Sequence, residues 1–600
     1  MQAMILAAGM GKRLKDLTAN NTKCMVKVNG VTLIERMLSQ LDRLLLTKIV
    51  IVVGYEGQHL IDFIDTLPIK TPIQFVENPI YYKTNNIYSL YLAKEHLLSD
   101  DTLLLESDGI FEDAVLTALL EDPRETLALV DKYESWMDGT VVKLNEDDSI
   151  QSFIPGKDFV FRDIGSYYKT VNVYKFSRHF SESHYIPFLD AYCKALGNNE
   201  YYEQVLRVIT MLDEPEIHAK RLSGQKWYEI DDIQDLDIAE SMFADDAEKT
   251  RRLTSRYGGF WRYPHLLDFC YLVNPYFPPQ RLIDEMQANF TKLLTQYPSG
   301  MRVNALLAAK NFGVHPQQIV VGNGAAELIK SLMALTTGLV GFVRPTFEEY
   351  PNRYAKARSV SYFPQNSDFS YTSPDLEDYF TEHPVETLVV VNPDNPSGNY
   401  LKKAEVLHLI DWAEASHIRL CIDESFADFA DEPDNSLLDA ALLAAHPGLL
   451  VVKSISKSYG VPGLRLGVLA SGDAPLIAAM KQDVAIWNIN SFGEFYLQIA
   501  EKYKKDYLEA LSRFRAERVR FLDGLQKLPG LRLVPTQANY VMVELTDGRS
   551  AQALTEALLT EQEILVKDLT GKVGGRQYLR IAIRNHADND VLLRALAQML

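Results

Sequence analysis

Six hundred residues are more than one hydrophobic core sustains, so at least two domains are expected. A composition of 47% apolar and 24% charged residues marks a globular chain, and a net charge of −19 excludes the basic face that nucleic acid or an anionic membrane would need, while leaving room for a basic pocket around a small anionic substrate. Cys24, Cys193, Cys270 and Cys421 are scattered without a CxxC, no run approaches the roughly 20 apolar residues of a membrane span, and no basic leader precedes the first apolar segment; a cytoplasmic protein without disulfides, zinc site or membrane insertion is expected.

The first predicted element is a short strand, Met4-Ile5-Leu6, running into the glycine turn Ala7-Ala8-Gly9-Met10-Gly11-Lys12-Arg13-Leu14. A glycine turn between strand and helix is a place for phosphates. It does not fit the dinucleotide fingerprint, because Leu14 stands at the third glycine, nor the P-loop, because Leu6 and Arg13 replace its first glycine and its Ser or Thr. Apolar, β-branched runs follow at 49–53, 73–76, 102–105 and 126–130, with amphipathic stretches such as 33–46 between them, which predicts an α/β domain with a mostly parallel sheet. Carboxylates cluster at two strand ends, Glu106-Ser107-Asp108 and Glu229-Ile230-Asp231-Asp232. The charged, helix-prone stretch 237–256 ends in Tyr257-Gly258-Gly259, so the expected organisation is a first domain over 1–240, a helical connector over 241–259 and a second domain over 260–600.

The pattern AAGxGxRL followed by Lys23 resembles the sugar-phosphate and phosphocholine nucleotidyltransferases. The resemblance implies a Rossmann-like domain in which Leu6, Ala8, Gly9, Gly11, Lys12, Arg13 and Lys23 hold the nucleotide. Arg13 and Lys23 would neutralise charge growing on the α-phosphate and the leaving pyrophosphate. It further implies Mg2+ held by Asp108 and Asp231, with Glu229 close by. The stretch Asn85-Asn86-Ile87-Tyr88-Ser89-Leu90 resembles the CTP:phosphocholine cytidylyltransferases and points to CTP, with Asn86 and Ser89 at the site, although two asparagines before an apolar helix also read as an N-cap. Trp136, Tyr201, Tyr202 and Glu203 are candidates for an aromatic and acidic cage around a quaternary ammonium. Lys169 reads equally as a ligand of a substrate phosphonate and as a solvated strand residue.

The second half carries, in order, Gly324-Ala325-Ala326, Pro345-Thr346-Phe347, Asn392-Pro393-Asp394-Asn395-Pro396-Ser397-Gly398, Asp423-Glu424-Ser425-Phe426 and Ser454-Ile455-Ser456-Lys457, with Arg465 and Arg580 beyond. These pieces resemble the fold-type I aminotransferases that use pyridoxal 5'-phosphate, most closely the histidinol-phosphate aminotransferase and threonine-phosphate decarboxylase group. The implied fold is a large α/β/α domain with a small C-terminal α+β domain. Lys457 would anchor the cofactor covalently, and Asp423 would keep its pyridine nitrogen protonated. Asn395 would bond the ring oxygen and Phe347 would stack on the ring. Ala325, Ala326, Ser454, Ser456 and Arg465 would hold the cofactor phosphate. Tyr297 would reach that phosphate from the other subunit of a homodimer, and Arg580 would bind a substrate carboxylate. One departure stands out: where most aminotransferases place a tyrosine this chain has Phe426, as the decarboxylase branch tends to, which leaves transamination and decarboxylation open.

Two active sites on one chain imply consecutive steps sharing a phosphorus-bearing primary amine. The whole chain resembles a phosphonate cytidylyltransferase fused to a 2-aminoethylphosphonate transaminase. Expected substrates are CTP, a phosphonate amine and an amino donor: phosphonoacetaldehyde is transaminated to 2-aminoethylphosphonate, which CTP then converts to its CMP ester and pyrophosphate. The alternative is decarboxylation of phosphoserine to supply phosphoethanolamine.

Overall fold

The computed structural model describes residues 1–212 and 216–600. The chain separates into two compact units, Met1–Pro264 and His265–Leu600. Residues 241–259 lie within the first: the helix Asp246–Ser255 joins the helix Ile233–Met242 through an Arg252–Glu240 ion pair at 2.9 Å.

In the first unit, the strands Ile73–Glu77, Ile49–Val53, Gln2–Ala7 and Thr102–Glu106 lie side by side and parallel. The inner three are made mainly of buried apolar residues, as strands covered on both faces require, while Ile73–Glu77 at the edge is only partly buried. The expected parallel arrangement stops there. The strand Tyr168–Phe176 pairs antiparallel with Thr102–Glu106 and carries two extensions, Val141–Leu144 with Ile150–Ile154, and Leu127–Lys132 with His218–Arg221, making a nine-stranded mixed sheet. The reversal brings polar residues of Tyr168–Phe176 beside the carboxyl end of the parallel strands, where open α/β sheets bind ligands. A separate two-stranded ladder, Gly109–Phe111 with Trp227–Glu229, sets Glu229 opposite Gly109.

In the second unit, seven strands run in the order Ile319–Asn323, Leu466–Ser471, Leu449–Ser454, Arg419–Asp423, Thr387–Val391, Val340–Val343, Ser359–Tyr362. Only Leu466–Ser471 is antiparallel to its neighbours. The motifs lie just beyond the carboxyl ends: Ala325 after the first strand, Asn395 after Thr387–Val391, Asp423 at the tip of its own strand, and Lys457 after Leu449–Ser454. A smaller four-stranded antiparallel sheet, including Tyr540–Leu545 and Tyr578–Ala582, contributes Arg580. The fold is α/β in both units, with the small α+β layer expected at the C-terminus.

Candidate functional site

One cavity of about 510 Å³ opens at the carboxyl edge of the first sheet. It is lined by Leu6, Ala8, Gly9, Gly11, Lys12, Arg13, Lys23, Asn86, Ser89, Asp108, Lys169, Glu229 and Asp231, so every nucleotide and metal residue expected in this half, together with Lys169, faces one space. Gly11 has φ of +58°, and a Cβ there would stand 3.1 Å from the Lys23 Cβ; glycine lets the turn close over that lysine. Thr18 fixes the turn by donating to the Gly11 carbonyl at 2.9 Å.

The two carboxylate clusters meet because of the small ladder. Ile230 N–H donates to the Asp108 carbonyl at 3.1 Å, which carries Asp231 to Asp108. Ligand oxygens of Asp108, Glu229 and Asp231 all lie within 4.8 Å of one another, a hard-oxygen set suited to a divalent cation. The Asp108 Oδ1 is buried without a partner, the kind of orphan atom such a cation would satisfy. Lys23 donates to Asp108 at 2.5 Å and Asp231 at 2.7 Å, and Arg13 pairs with Asp231 at 2.8 Å. Burial alone would lower the Lys23 pKa, but these two carboxylates outweigh it and raise it. Burial likewise works against the Asp231 carboxylate, yet Lys23 and Arg13 hold it below its ordinary range.

Several sequence expectations change. Lys169 is not a solvated strand residue: it is 2% exposed, pairs with Glu229 at 3.2 Å and donates to the Thr170 carbonyl at 2.7 Å. Asn85, not Asn86, caps the helix Asn86–Leu92. Asn86 instead donates to Glu106 at 3.2 Å and accepts from the Tyr202 N–H at 2.9 Å, while the buried Ser89 hydroxyl accepts from Asn78 at 3.1 Å. Of the cage candidates, Tyr201 and Glu203 line the cavity. Trp136 stacks on Tyr228 at 4.1 Å, and Tyr202 is fully buried in the core. Burial pushes the Glu203 carboxyl up to about 7. Glu106, part of the first carboxylate cluster, and Asn172 also face the cavity; no role was expected of either, because their partners are remote in the chain.

In the second unit, Lys457 sits on the short helix Ile455–Ser458, and burial, with Arg580 and Arg465 nearby, lowers its amine to about 8. Asp423 accepts from the Tyr350 hydroxyl at 2.9 Å and the Ser425 N–H at 2.9 Å; burial pushes its carboxyl up despite both donors. Tyr350 was not among the expected residues, since a lone tyrosine carries no motif. Arg580 donates to Asn395 Oδ1 and to the Cys270 carbonyl, each at 2.7 Å, leaving the Asn395 amide free to donate and the Arg580 Nε buried without a partner.

Ala325 and Ala326 open the helix Ala325–Leu335, whose N-terminus has no side-chain cap. The Gly324 N–H donates to the Arg465 carbonyl at 2.9 Å, and the Arg465 guanidinium packs against Gly324. Ser454 lies at the end of its strand, and the Ser456 hydroxyl is buried and unpartnered. Free helix N–H groups, an orphan hydroxyl and an arginine form a donor set that fits a phosphate, and a buried lysine beside Asp423 fits the rest of pyridoxal phosphate. Phe347 is 39% exposed. Tyr297 is 80% exposed and stacks on Trp487 at 4.5 Å.

Residues 266–596 match the family model for aminotransferase class I and II, and residues 3–137 match that for the MobA-like NTP transferase domain. The chain is 32% identical to the CMP-5'-(3-aminopropyl)phosphonate synthase of Streptomyces rubellomurinus, over 100% of this chain and 95% of that one. It is 35% identical to the L-serine phosphate decarboxylase of Sulfurospirillum multivorans, over 56% of this chain and 88% of the other. Among solved structures, a decarboxylase from Sulfurospirillum multivorans superposes with a TM-score of 0.52 at 31% identity, covering 60% of this chain and 99% of its own. The histidinol-phosphate aminotransferase from Clostridium acetobutylicum gives 0.50 at 26%, covering 56% and 99%. No helix among the described residues is long and apolar enough to cross a membrane.

Proposed function

This chain belongs to the class I and II aminotransferase family, with a MobA-like NTP transferase domain ahead of it, and from that premise we propose that it prepares a phosphonate head group in two steps. The second unit makes a short aminoalkylphosphonate, and the first transfers a cytidylyl group to it from CTP. The observation that carries this reading is the single cavity gathering the glycine turn, Arg13, Lys23 and three carboxylates.

In the cytidylyl step, a phosphonate oxygen attacks the α-phosphorus of CTP and pyrophosphate leaves. The backbone of the glycine turn cradles the triphosphate, and Arg13 and Lys23 neutralise the charge that grows on the α-phosphate and leaving group. Asp108, Asp231 and Glu229 would hold Mg2+, whose charge would neutralise triphosphate oxygens.

In the second unit, pyridoxal phosphate when bound supplies the electron sink for a carbanion beside the substrate amine. Lys457 anchors it and, with an amine near 8, can take and return a proton at the substrate carbon. Asp423 holds the proton on the pyridine nitrogen, and the free amide of Asn395 bonds the ring oxygen. Ser454, Ser456, Arg465 and the N–H groups of Ala325 and Ala326 hold the phosphate, while Arg580 receives a substrate carboxylate. Phe347 stacks on the ring, and the exposed Tyr297 serves the phosphate of a second subunit in a homodimer.

Transamination of phosphonoacetaldehyde would give 2-aminoethylphosphonate. A second reading, decarboxylation of an α-amino acid ending in a phosphonate or phosphate, is favoured by Phe426. Its ring is 4% exposed and edge-on to Tyr540 at 5.1 Å, and it offers no hydroxyl to the ring oxygen. The likeness to an L-serine phosphate decarboxylase supports the same reading. The test gives the full chain CTP and magnesium with either phosphonoacetaldehyde and an amino donor or phosphoserine and its phosphonate analogues. Mass spectrometry identifies the CMP product. Transamination requires the donor and releases no carbon dioxide; decarboxylation releases one carbon dioxide per product. Absence of any CMP ester in every mixture sinks the proposal.

A further inference from the structure

The cavity of the first unit holds more acid than base. Six carboxylates face it against four cationic side chains. Four of the acids are matched: Asp108 and Asp231 share Lys23, Asp138 lies 3.7 Å from Arg13, and Glu229 holds Lys169. Glu106 and Glu203 form no ion pair among the described residues, and the nearby Lys169, already held by Glu229, acts on both only through space.

Glu203 is 4% exposed, and its Oε2 is buried with no hydrogen bond. A buried carboxyl oxygen left without a hydrogen bond is costly, and a donor brought by a ligand would remove that cost. Asn86 ties the two glutamates to one wall. Its amide donates to Glu106 at 3.2 Å, and its carbonyl oxygen accepts the N–H of Tyr202, the residue before Glu203.

We propose that Glu203 and Glu106 form the subsite that binds the primary ammonium of the phosphonate substrate. This rests on the reading of the first unit as a cytidylyltransferase for an aminoalkylphosphonate. A primary ammonium brings a full positive charge and three N–H donors, which answers both the excess acid and the orphan oxygen. A trimethylated ammonium brings no donor and needs aromatic faces around it. Of the cage candidates, Trp136 and Tyr202 are withdrawn from the cavity, which leaves Tyr201, with Tyr81, as its aromatic lining among the described residues. The wall is therefore built for charge-assisted hydrogen bonds and selects a primary amine over a quaternary one.

Calorimetric titration of the cofactor-free full chain, whose second unit then has no aldehyde to take the amine, with 2-aminoethylphosphonate, ethylphosphonate and the N-trimethyl derivative tests this without requiring turnover. The primary amine should bind about 30-fold tighter than ethylphosphonate, and Glu203→Gln should cut that preference to about threefold or less. Glu106→Gln, a second isosteric change, should reduce the same ratio. An unchanged preference in both variants, or tighter binding of the trimethyl compound by the unaltered protein, overturns the assignment. Pyrophosphate release is measured alongside. Ammonium-dependent binding without release of pyrophosphate from CTP would remove the cytidylyl reading and still support the subsite.

Discussion

Lys23 and Asp231 stand 208 positions apart in the chain and 2.7 Å apart in space. The same ammonium lies 2.5 Å from Asp108, so one lysine bridges two of the three carboxylates proposed to bind magnesium. Lys23 thus opposes the repulsion between these carboxylates, and in the proposed reaction it would serve the triphosphate once a divalent cation neutralised them.

Replacing Lys23 by Met separates these roles. Pyrophosphate release from CTP should fall about 100-fold or more, the scale of losing one transition-state cation or donor. Magnesium affinity without nucleotide should rise, because a competing cation has left two carboxylates. Calorimetry with Mg2+ alone reads the second effect, and a weaker or unchanged affinity would count against the three-carboxylate site.

Lys457 carries the pH prediction. Burial, with Arg580 and Arg465, lowers its amine to about 8, and only the neutral amine attacks a carbonyl. Capture of pyridoxal phosphate by cofactor-free protein should therefore quicken as pH rises, level off above about 8, and slow about tenfold for each unit below. Stopped-flow absorbance of the cofactor follows it; a profile still climbing toward 10.5, the ordinary lysine value, would refute the lowered pKa. Lys457→Ala should abolish capture and leave pyrophosphate release from CTP plus 2-aminoethylphosphonate intact.

What could be read from the sequence was what local spacing encodes. Runs such as Ile49–Val53 are apolar and β-branched because both faces are covered, and glycine turns announce backbone that must approach a ligand. The antiparallel half of the first sheet was not legible: Tyr168–Phe176 mixes polar residues into a buried strand because Lys169 and Asn172 face a cavity, which defeats the usual alternation. Lys169 could be read as a solvated residue as readily as a ligand because Glu229, which neutralises it, comes from a ladder strand much later in the chain. Tyr350 was silent, and Glu106 was visible only as one of a carboxylate cluster, for the same reason. Each gains its significance from a partner that only the fold brings near.

Tyr350 offers a test of the pyridine-side aspartate. Its hydroxyl is one of two donors to Asp423, and burial already pushes that carboxyl up. In Tyr350→Phe the anion loses a donor, so the Asp423 pKa rises further and the carboxylate is lost at a higher pH as acid is added. The acidic limb of the kcat–pH profile of the second unit should move to higher pH, with turnover at neutral pH falling roughly tenfold. An unmoved acidic limb would mean that Tyr350 does not tune Asp423.

Gly467 tests how tightly the phosphate cradle is built. It lies on Leu466–Ser471, the antiparallel strand between Ile319–Asn323 and Leu449–Ser454, opposite both Gly322 and Ser454. A Cβ there would come within 2.7 Å of the Ala325 Cα, against backbone that cannot swing aside. Gly467→Ala should push the start of the helix Ala325–Leu335 away from Ser456 and Arg465, misaligning the N–H groups proposed for the cofactor phosphate. Overpacking of this kind costs about 1–3 kcal/mol of stability. The second unit should lose thermal stability and release pyridoxal phosphate on dialysis, while CTP-dependent pyrophosphate release in the first unit persists. Dialysis with absorbance and a thermal melt measure both, and a variant that keeps its cofactor as firmly as the unaltered protein would show that the phosphate is held elsewhere.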